Sequence, residues 1–126
     1  MTEKSRKYLF DILIAIDLIE NFIADTHDFD LYEKDLKTQS AVERQLGIIG
    51  EALSNFKKSN QELSIKNDYQ IIGFRNRLIH AYDKIDNAIV WVIIKKHLSG
   101  LRIEIDIYPI KISIPKITRI QLRQVL

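Results

Sequence analysis

The chain has 126 residues, a length typical of one domain with a real hydrophobic core. It contains no cysteine, which excludes disulfides and thiolate metal sites, and no apolar run of about 18 residues, which excludes a membrane span. The net charge of +2 combines a balance of −1 over residues 1–100 with one of +3 over residues 101–126, so the body lacks the concentrated basic face of a general nucleic-acid binder. The amino-terminal residues do not resemble a signal sequence, and we expect a cytoplasmic protein.

The first half of the chain predicts two amphipathic helices joined by a loop. Between about residues 4 and 24, apolar side chains recur at steps of three and four, the spacing of one helix face. These positions are Leu9, Ile12, Leu13, Ile16, Ile19 and Ile23. Residues 24–37 are acidic and lack periodicity, so they predict a loop. Ser40 and Glu43 have the spacing of a capping box, with Thr38 as a competing cap, and the second helix continues from there to Phe56.

Two further helices are predicted within residues 67–98. Asn67 or Asp68 can cap a helix that runs through Leu78. After a polar turn at residues 83–87, residues 88–98 are apolar on nearly all sides, which is typical of a helix buried between neighbours or in a subunit interface. Gly100 fits the C′ position after this helix.

From residue 101 the pattern changes to the alternation of a strand. Isoleucines alternate with polar or aromatic residues, and Pro109 and Pro115 forbid a continuous helix. We therefore predict an all-α fold, an antiparallel bundle of four to five helices in residues 1–100, followed by an extended, β-like tail in residues 101–126. Because an isolated pair of strands is marginally stable, the tail is expected to pack on the body or on a partner.

The candidate functional residues lie within residues 73–82 and combine a fixed cation with a group that gains or loses a proton near neutral pH, as phosphodiester cleavage requires. They are Arg75, Asn76, His80 and Tyr82. On a helix, Asn76 and His80 share a face, whereas Arg75 points about 140° away from His80. Arg75 and His80 can therefore reach one phosphate only if the helix ends near His80 or if a second subunit closes the site.

The order Arg-Asn, three residues, His, one residue, Tyr resembles the motif of the HepT-like ribonuclease toxins of the HEPN superfamily. Residues 41–52 resemble that family's second helix, and residues 73–80 resemble the approach to its active site. Residues 85–91 resemble the start of its fourth helix. The resemblance covers roughly residues 5–100, and the separate blocks make it more specific than the spacing of Arg75 and His80 alone.

The resemblance implies a metal-independent endoribonuclease without a cofactor that acts as a homodimer, with the motifs lining a cleft between the subunits. It also implies a toxin of the type VII kind, whose antitoxin is a minimal nucleotidyltransferase. In the family this partner attaches AMP to the motif tyrosine, here Tyr82, and silences the nuclease. The family's substrates are RNAs, with tRNA among them.

The chemistry of RNA cleavage suggests a role for each candidate. The 2′-hydroxyl attacks the adjacent phosphorus, so a base must take its proton and a cation must balance charge on the phosphorane. His80 would serve as the base or the acid. Arg75 would bind the non-bridging oxygens through its planar fork, and Asn76 would orient the imidazole or bind phosphate. Arg77 and Lys84 are weaker candidates for RNA contact.

These assignments have plainer alternatives. An Arg and a His near a helix end commonly serve as capping or ion-pair residues. Glu51 is either a residue of a surface or intersubunit ion pair or a brace for Arg75. The acidic residues around His27 lack the spacing of a calcium loop, so no metal site is predicted. The whole chain could also be a catalytically silent helical dimer, acting as a binding module or accessory subunit for a nucleotidyltransferase.

Overall fold

The computed structural model of the chain describes residues 1–80 and 85–108. Within these ranges the regular structure is helical and contains no strand, so the predicted all-α fold is confirmed. The helices are α1 (Glu3–Phe22), α2 (Phe29–Lys34), α3 (Leu36–Ser59), α4 (Tyr69–His80), α5 (Asn87–Val92) and α6 (Leu98–Asp106), with a π-helical segment, Ile93–His97, between α5 and α6. None of these helices is long and apolar enough to cross a lipid bilayer.

Helices α1 and α3 pack together along their apolar faces and form most of the core. The Asn60 amide at the end of α3 donates a hydrogen bond of 2.9 Å to Oγ of Ser5 in the first turn of α1, so the two helices are antiparallel. Each fully buried apolar side chain contributes about 1.5–3 kcal/mol. These side chains are Leu9, Ile12, Ile16 and Ile19 of α1 and Val42, Leu46, Ile49, Leu53 and Phe56 of α3.

The segment predicted as a loop contains helix α2 and the start of α3, so that prediction is wrong for residues 29–34 and 36–37. Two of the acidic side chains in this segment are helix caps. Asp28 accepts a hydrogen bond from the backbone N–H of Leu31, and Asp35 accepts one from that of Thr38. Helix α3 therefore begins at Leu36 and not near Ser40. Helix α2 buries its tyrosine, Tyr32, against Trp91, which packs against the core.

The predicted strand alternation is wrong for residues 101–106, because helix α6 continues through them. The side chains of Leu98, Leu101 and Ile105 are buried at helical spacing, while Ile103 and Ile107 are exposed. The isoleucine alternation therefore reflects a helix with one apolar stripe and two exposed apolar residues. Gly100 lies inside α6 and not at a C′ position. Residues 109–126, which carry the remainder of the predicted tail, lie outside the described residues.

Salt bridges and hydrogen bonds of charged side chains connect helix α6 to the rest of the bundle. Arg102 Nη2 lies 2.5 Å from Oδ1 of Asp17 and 3.2 Å from Oε1 of Glu20, both on α1. The Glu104 carboxylate accepts hydrogen bonds from the backbone N–H groups of Lys66 and Asn67, at 2.6 and 3.0 Å, just before α4 begins. The Glu104 hydrogen bonds hold the backbone just before α4, the helix that carries the candidate site.

Candidate functional site

Helix α4 carries four of the predicted site residues, and His80 is the last residue described before the gap at 81–84. Arg75 faces α3, whereas Asn76, Arg77 and His80 are exposed. The predicted modification site Tyr82 and the weaker candidate Lys84 lie outside the described residues.

Arg75 is held by a carboxylate from the neighbouring helix. Its Nη2 forms a salt bridge with Oε2 of Glu51 on α3, and its Nη1 donates a hydrogen bond of 3.2 Å to Oδ1 of Asn76. The Arg75 side chain is 27% exposed and that of Glu51 is 51% exposed. The structure therefore shows the contact that a brace for Arg75 requires, and the bracing role of Glu51 stays a prediction. The guanidinium is oriented, yet part of it still faces solvent.

Gly50 allows this pairing by letting α3 and α4 approach closely. A methyl group at Gly50 would lie 2.5 Å from Cβ of Arg75 and 3.1 Å from the carbonyl oxygen of Ile71. Glycine in a helix interior costs about 1 kcal/mol relative to alanine, so close packing is the compensating reason for its presence. Sequence reasoning missed Gly50 as a site residue, although a glycine inside a strongly helical pattern was the available signal.

His80 points away from Arg75, as the helix geometry predicts. Tyr69, Gly73, Asn76 and His80 follow one another at steps of four, three and four and share the exposed face of α4. Within the described residues, Asn76 bonds to Arg75 and makes no hydrogen bond to His80. The structure therefore brings Arg75, Asn76 and Glu51 together and leaves His80 separate from them.

A groove of about 310 Å³ runs over the exposed face of α4 beside these residues. Asn76 and Arg77 line it, together with Lys57 at the end of α3. The Lys57 ammonium lies 2.9 Å from a carboxylate oxygen of Asp68, whereas Arg77 has no ion pair with any described residue. Among the described residues, no carboxylate therefore neutralises Arg77 at this surface.

The donor set of the site consists of a guanidinium, an imidazole and an amide. In the described part of the chain, no three His, Asp or Glu side chains cluster closely enough to hold a metal ion. An oriented guanidinium can bind phosphate oxygens, and an exposed imidazole can exchange a proton with a ribose hydroxyl. The arrangement therefore suits cleavage of a phosphodiester, provided that an Arg75 side chain and a His80 side chain contact the same phosphate.

Comparison with known proteins identifies the family. Residues 12–107 match the family model described as "HepT-like: Ribonuclease HepT-like". A protein of Thermococcus cleftensis named "Probable ribonuclease HepT" is 37% identical over 106 residues, which cover 81% of this chain and 93% of the relative. A protein of Methanocaldococcus jannaschii that is named a "Putative RNase" is 30% identical over 106 residues, covering 81% of this chain and 94% of the relative.

A third relative, from Caldanaerobacter subterraneus, also carries the name "Putative RNase" and is 35% identical over 97 residues, covering 76% of this chain and 86% of its own length. No solved structure matches the chain. The family model covers α1 from residue 12 onward and the whole of helices α2 to α6, including α4. The chain therefore belongs to the HepT-like ribonuclease family.

Proposed function

We propose that this chain is a metal-independent endoribonuclease that acts in the cytoplasm as the toxin of a type VII HEPN/nucleotidyltransferase toxin–antitoxin system. Its membership of the HepT-like ribonuclease family supports the activity. The structural observation that carries the proposal is Arg75, held by Glu51 and partly open to solvent on the helix that also bears an exposed His80. RNA is the substrate, and tRNA is the first RNA to be tested.

The proposed reaction is an internal transfer of the phosphodiester. The ribose 2′-oxygen forms a bond to phosphorus and the bond to the 5′-oxygen breaks, leaving a 2′,3′-cyclic phosphate and a 5′-hydroxyl. His80 takes the proton of the 2′-hydroxyl or delivers one to the leaving 5′-oxygen, a role that contributes about 10²–10⁴-fold. Arg75 binds the non-bridging oxygens, on which charge increases in the transition state. Asn76 keeps Arg75 in place or contacts the same phosphate.

The divergence of Arg75 and His80 on α4 supports a homodimer as the active form. One chain would supply Arg75 and its partner would supply the imidazole, so that two equivalent sites form across a twofold axis. Mixing Arg75→Ala protein with His80→Ala protein tests this arrangement. A mixed dimer would then contain one intact site of two, so an equal mixture after random exchange of subunits should recover about a quarter of the wild-type activity. If each site is built within one chain, mixing restores nothing.

The first experiment is RNA cleavage by purified protein in the presence of EDTA. Wild type should cut tRNA or total RNA and release ends with a cyclic phosphate, whereas Arg75→Ala and His80→Ala should lose at least about 100-fold of the rate. Lys34→Ala is the matched control, because Lys34 is an exposed cation on α2. Undiminished cleavage by His80→Ala would contradict the mechanism.

In the proposed off-switch, a nucleotidyltransferase antitoxin transfers AMP from ATP to the Tyr82 hydroxyl oxygen and releases pyrophosphate. The added phosphate would place bulk and negative charge close to where substrate phosphate binds, and so would repel RNA. Intact-mass analysis after co-expression with such a partner should show AMP-sized increments on wild type but not on Tyr82→Phe. The same increments on both proteins would place the modification elsewhere.

One observation favours the alternative function, a silent binding module for the nucleotidyltransferase. Glu51 already pairs with Arg75, so the guanidinium is partly neutralised in the free chain. A growth test without the partner separates the two functions. Wild type should inhibit growth and Arg75→Ala should not; equal harmlessness of both would favour the binding module.

A further inference from the structure

Gly73 occupies an unusual position in helix α4. It lies in the helix interior and is exposed, and a methyl group added there would meet no other atom within 4 Å. At Gly50 and Gly100, by contrast, an added methyl group would come within 2.5 Å of Arg75 and 2.7 Å of Asn67. Because glycine destabilises a helix interior relative to alanine, packing within the described residues does not account for Gly73. A ligand that must approach the helix backbone closely would account for it.

The groove over α4 has Gly73 as part of its lining and will be called the Gly73 groove. Lys57, Tyr69, Asn76, Arg77 and Ile89 also line it. Its volume of about 310 Å³ is at the lower end of the ~300–1,000 Å³ range typical of small-molecule sites. A second hollow of about 340 Å³ shares Arg77 and Ile89 with it and reaches His97, so the depression extends across α4 to the π-helical segment.

Tyr69 presents a ring to this groove at the start of α4. It is 80% exposed, the largest exposure of any large apolar or aromatic side chain in the described residues. Exposed aromatic rings serve as stacking surfaces for unpaired bases, because every base has a π-face. Tyr69 and Asn76 lie seven residues apart, so both project from the same side of the helix as His80. A strand that reaches His80 can therefore continue over Gly73 to Tyr69.

We propose that the Gly73 groove binds an unpaired nucleotide of the RNA substrate next to the phosphate that is cleaved. Tyr69 stacks on the base of this nucleotide, Arg77 contacts its phosphate, and Gly73 lets the strand lie against the helix backbone. This inference rests on the proposed ribonuclease function and adds a substrate class, RNA that is single-stranded around the cleavage position. A duplex does not fit, because its bases are stacked within the helix and their faces are not accessible to Tyr69.

Charge favours RNA over a second copy of the chain as the occupant of the groove. In the described part of the molecule Arg77 has no carboxylate partner, while Lys57 is paired with Asp68. A twofold contact centred on Gly73 would bring the Arg77 side chains of the two copies toward each other, and like charges at an interface oppose association. A polyanionic strand gains from the same cation.

Equilibrium binding to a fluorescent single-stranded RNA of about ten nucleotides tests the proposal, because strands of this length span a typical single-strand site. The full chain carrying His80→Ala serves as the background, so that the RNA stays intact. Tyr69→Ala should weaken binding at least about fivefold, and Tyr69→Phe should retain the affinity, since stacking needs only the ring. Leu36→Ala is the matched control and should bind RNA like the background protein. Leu36 is an exposed apolar residue of α3 that does not line the groove.

Two further variants test the roles of Gly73 and Arg77 in the groove. Gly73→Leu fills the space above the backbone and should weaken RNA binding, while its helical circular dichroism and melting temperature show whether it remains folded. Arg77→Gln should reduce the slope of log affinity against log salt by about one, as expected for one phosphate contact. A base-paired RNA of the same length should bind more weakly than the single strand to the background protein.

The proposal is overturned if Tyr69→Ala and folded Gly73→Leu both bind RNA like the background. It is also overturned if Gly73→Leu alters the sedimenting mass of the protein without changing its affinity for RNA, which would assign the groove to a second copy. The assay needs no cleavage, so it remains distinct from the test of the nuclease. RNA binding that depends on Tyr69, without RNA cleavage by the wild type, would contradict the proposed nuclease activity but not RNA binding in the Gly73 groove. RNA cleavage by the wild type, without any dependence of binding on Tyr69, would contradict the groove proposal but not the nuclease activity.

Discussion

The salt bridge between Glu51 and Arg75 joins α3 to α4 at the point where Gly50 lets the two helices meet. Both side chains keep substantial exposure to solvent, and exposed ion pairs contribute only about 0–1 kcal/mol to folding. The pair is therefore poorly explained as a device for stability. It is better explained as a support that sets the direction of the Arg75 guanidinium.

Glu51→Gln should lower the turnover number for RNA about 10- to 100-fold, because a misdirected guanidinium loses transition-state contacts. The Michaelis constant should stay the same or fall, since the substitution removes a negative charge beside the phosphate site. Steady-state kinetics separate the two effects. Glu62→Gln, an exposed carboxylate outside the site, is the control and should change neither constant. A rise in the Michaelis constant with unchanged turnover would show that Glu51 does not position Arg75.

The two glycines of the site should respond to alanine in opposite directions. Gly50→Ala should destabilise the protein by about 1–3 kcal/mol, because its methyl group would force Arg75 and the backbone of Ile71 to move. Gly73→Ala should stabilise it by up to about 1 kcal/mol, because the methyl group meets open space and favours the helix. Urea denaturation of both variants measures the difference. Equal effects would mean that the close approach of α3 and α4 is not maintained in solution.

Long amphipathic helices were predictable from the sequence, and the short or ambiguous ones were not. The apolar stripes of α1 and α3 extend over five turns or more, so a period near 3.6 is distinct from other patterns. Helix α2 has six residues, too few to show a helical period. The sequence signals for the starts of α2 and α3 are their N-cap residues, Asp28 and Asp35. In residues 101–107 the spacing of the isoleucines fits a strand as well as a helix. The helix forms because it buries Leu101 and Ile105 together in the core.

The placement of the site residues on α4 was predictable from the sequence, but the neighbouring groups that support them were not. Residue spacing alone predicted that Arg75 and His80 diverge on α4, which the structure shows. It could not predict that α3 places a carboxylate on Arg75, since that depends on how two helices cross, nor that Gly73 faces open space while Gly50 faces a side chain. Two glycines inside helical patterns look alike in a sequence, and only their neighbours in space distinguish a packing role from an open surface.

The Glu104 carboxylate should make the anchoring of α6 to the start of α4 sensitive to acid. Partial burial opposes its ionisation, but the hydrogen bonds from Lys66 and Asn67 outweigh this effect and hold its pKa below the ordinary value of 4.5. A lowered pKa in the folded state means that the stabilisation is complete above the ordinary pKa and is lost as the pH falls through the folded value. Acidification below about pH 4.5 should therefore weaken this contact.

Glu104→Gln should cost about 1–2 kcal/mol of the free energy of unfolding at pH 7, because charge-assisted hydrogen bonds are replaced by weaker ones. The same variant should lose less stability than wild type between pH 5 and pH 3, since it lacks the group that is protonated. Chemical denaturation at a series of pH values measures both effects. Asp106→Asn, at an exposed carboxylate of the same helix, is the control. Parallel pH profiles for wild type and Glu104→Gln would contradict the assignment.

Tyr32 is fully buried against Trp91, and its hydroxyl has no hydrogen-bond partner among the described residues. Burial raises the pKa of this phenol above its ordinary value, and the negative charges of Glu43 and Asp35 raise it further. The neutral phenol is therefore the favoured form of Tyr32 in the folded protein. The ring contributes through its packing, while the hydroxyl loses its hydration without a protein partner in return.

Tyr32→Phe should accordingly leave the free energy of unfolding unchanged or raise it by up to about 1 kcal/mol, because it removes an unsatisfied polar group and keeps the ring. Tyr32→Ala should cost about 3–5 kcal/mol, because it leaves a cavity between α2 and Trp91. Urea denaturation compares both with Tyr69→Phe, where an exposed hydroxyl is removed and little change is expected. A loss of more than about 1 kcal/mol in Tyr32→Phe would mean that a buried water or another group bonds the hydroxyl, since only a satisfied hydroxyl can cost that much to remove.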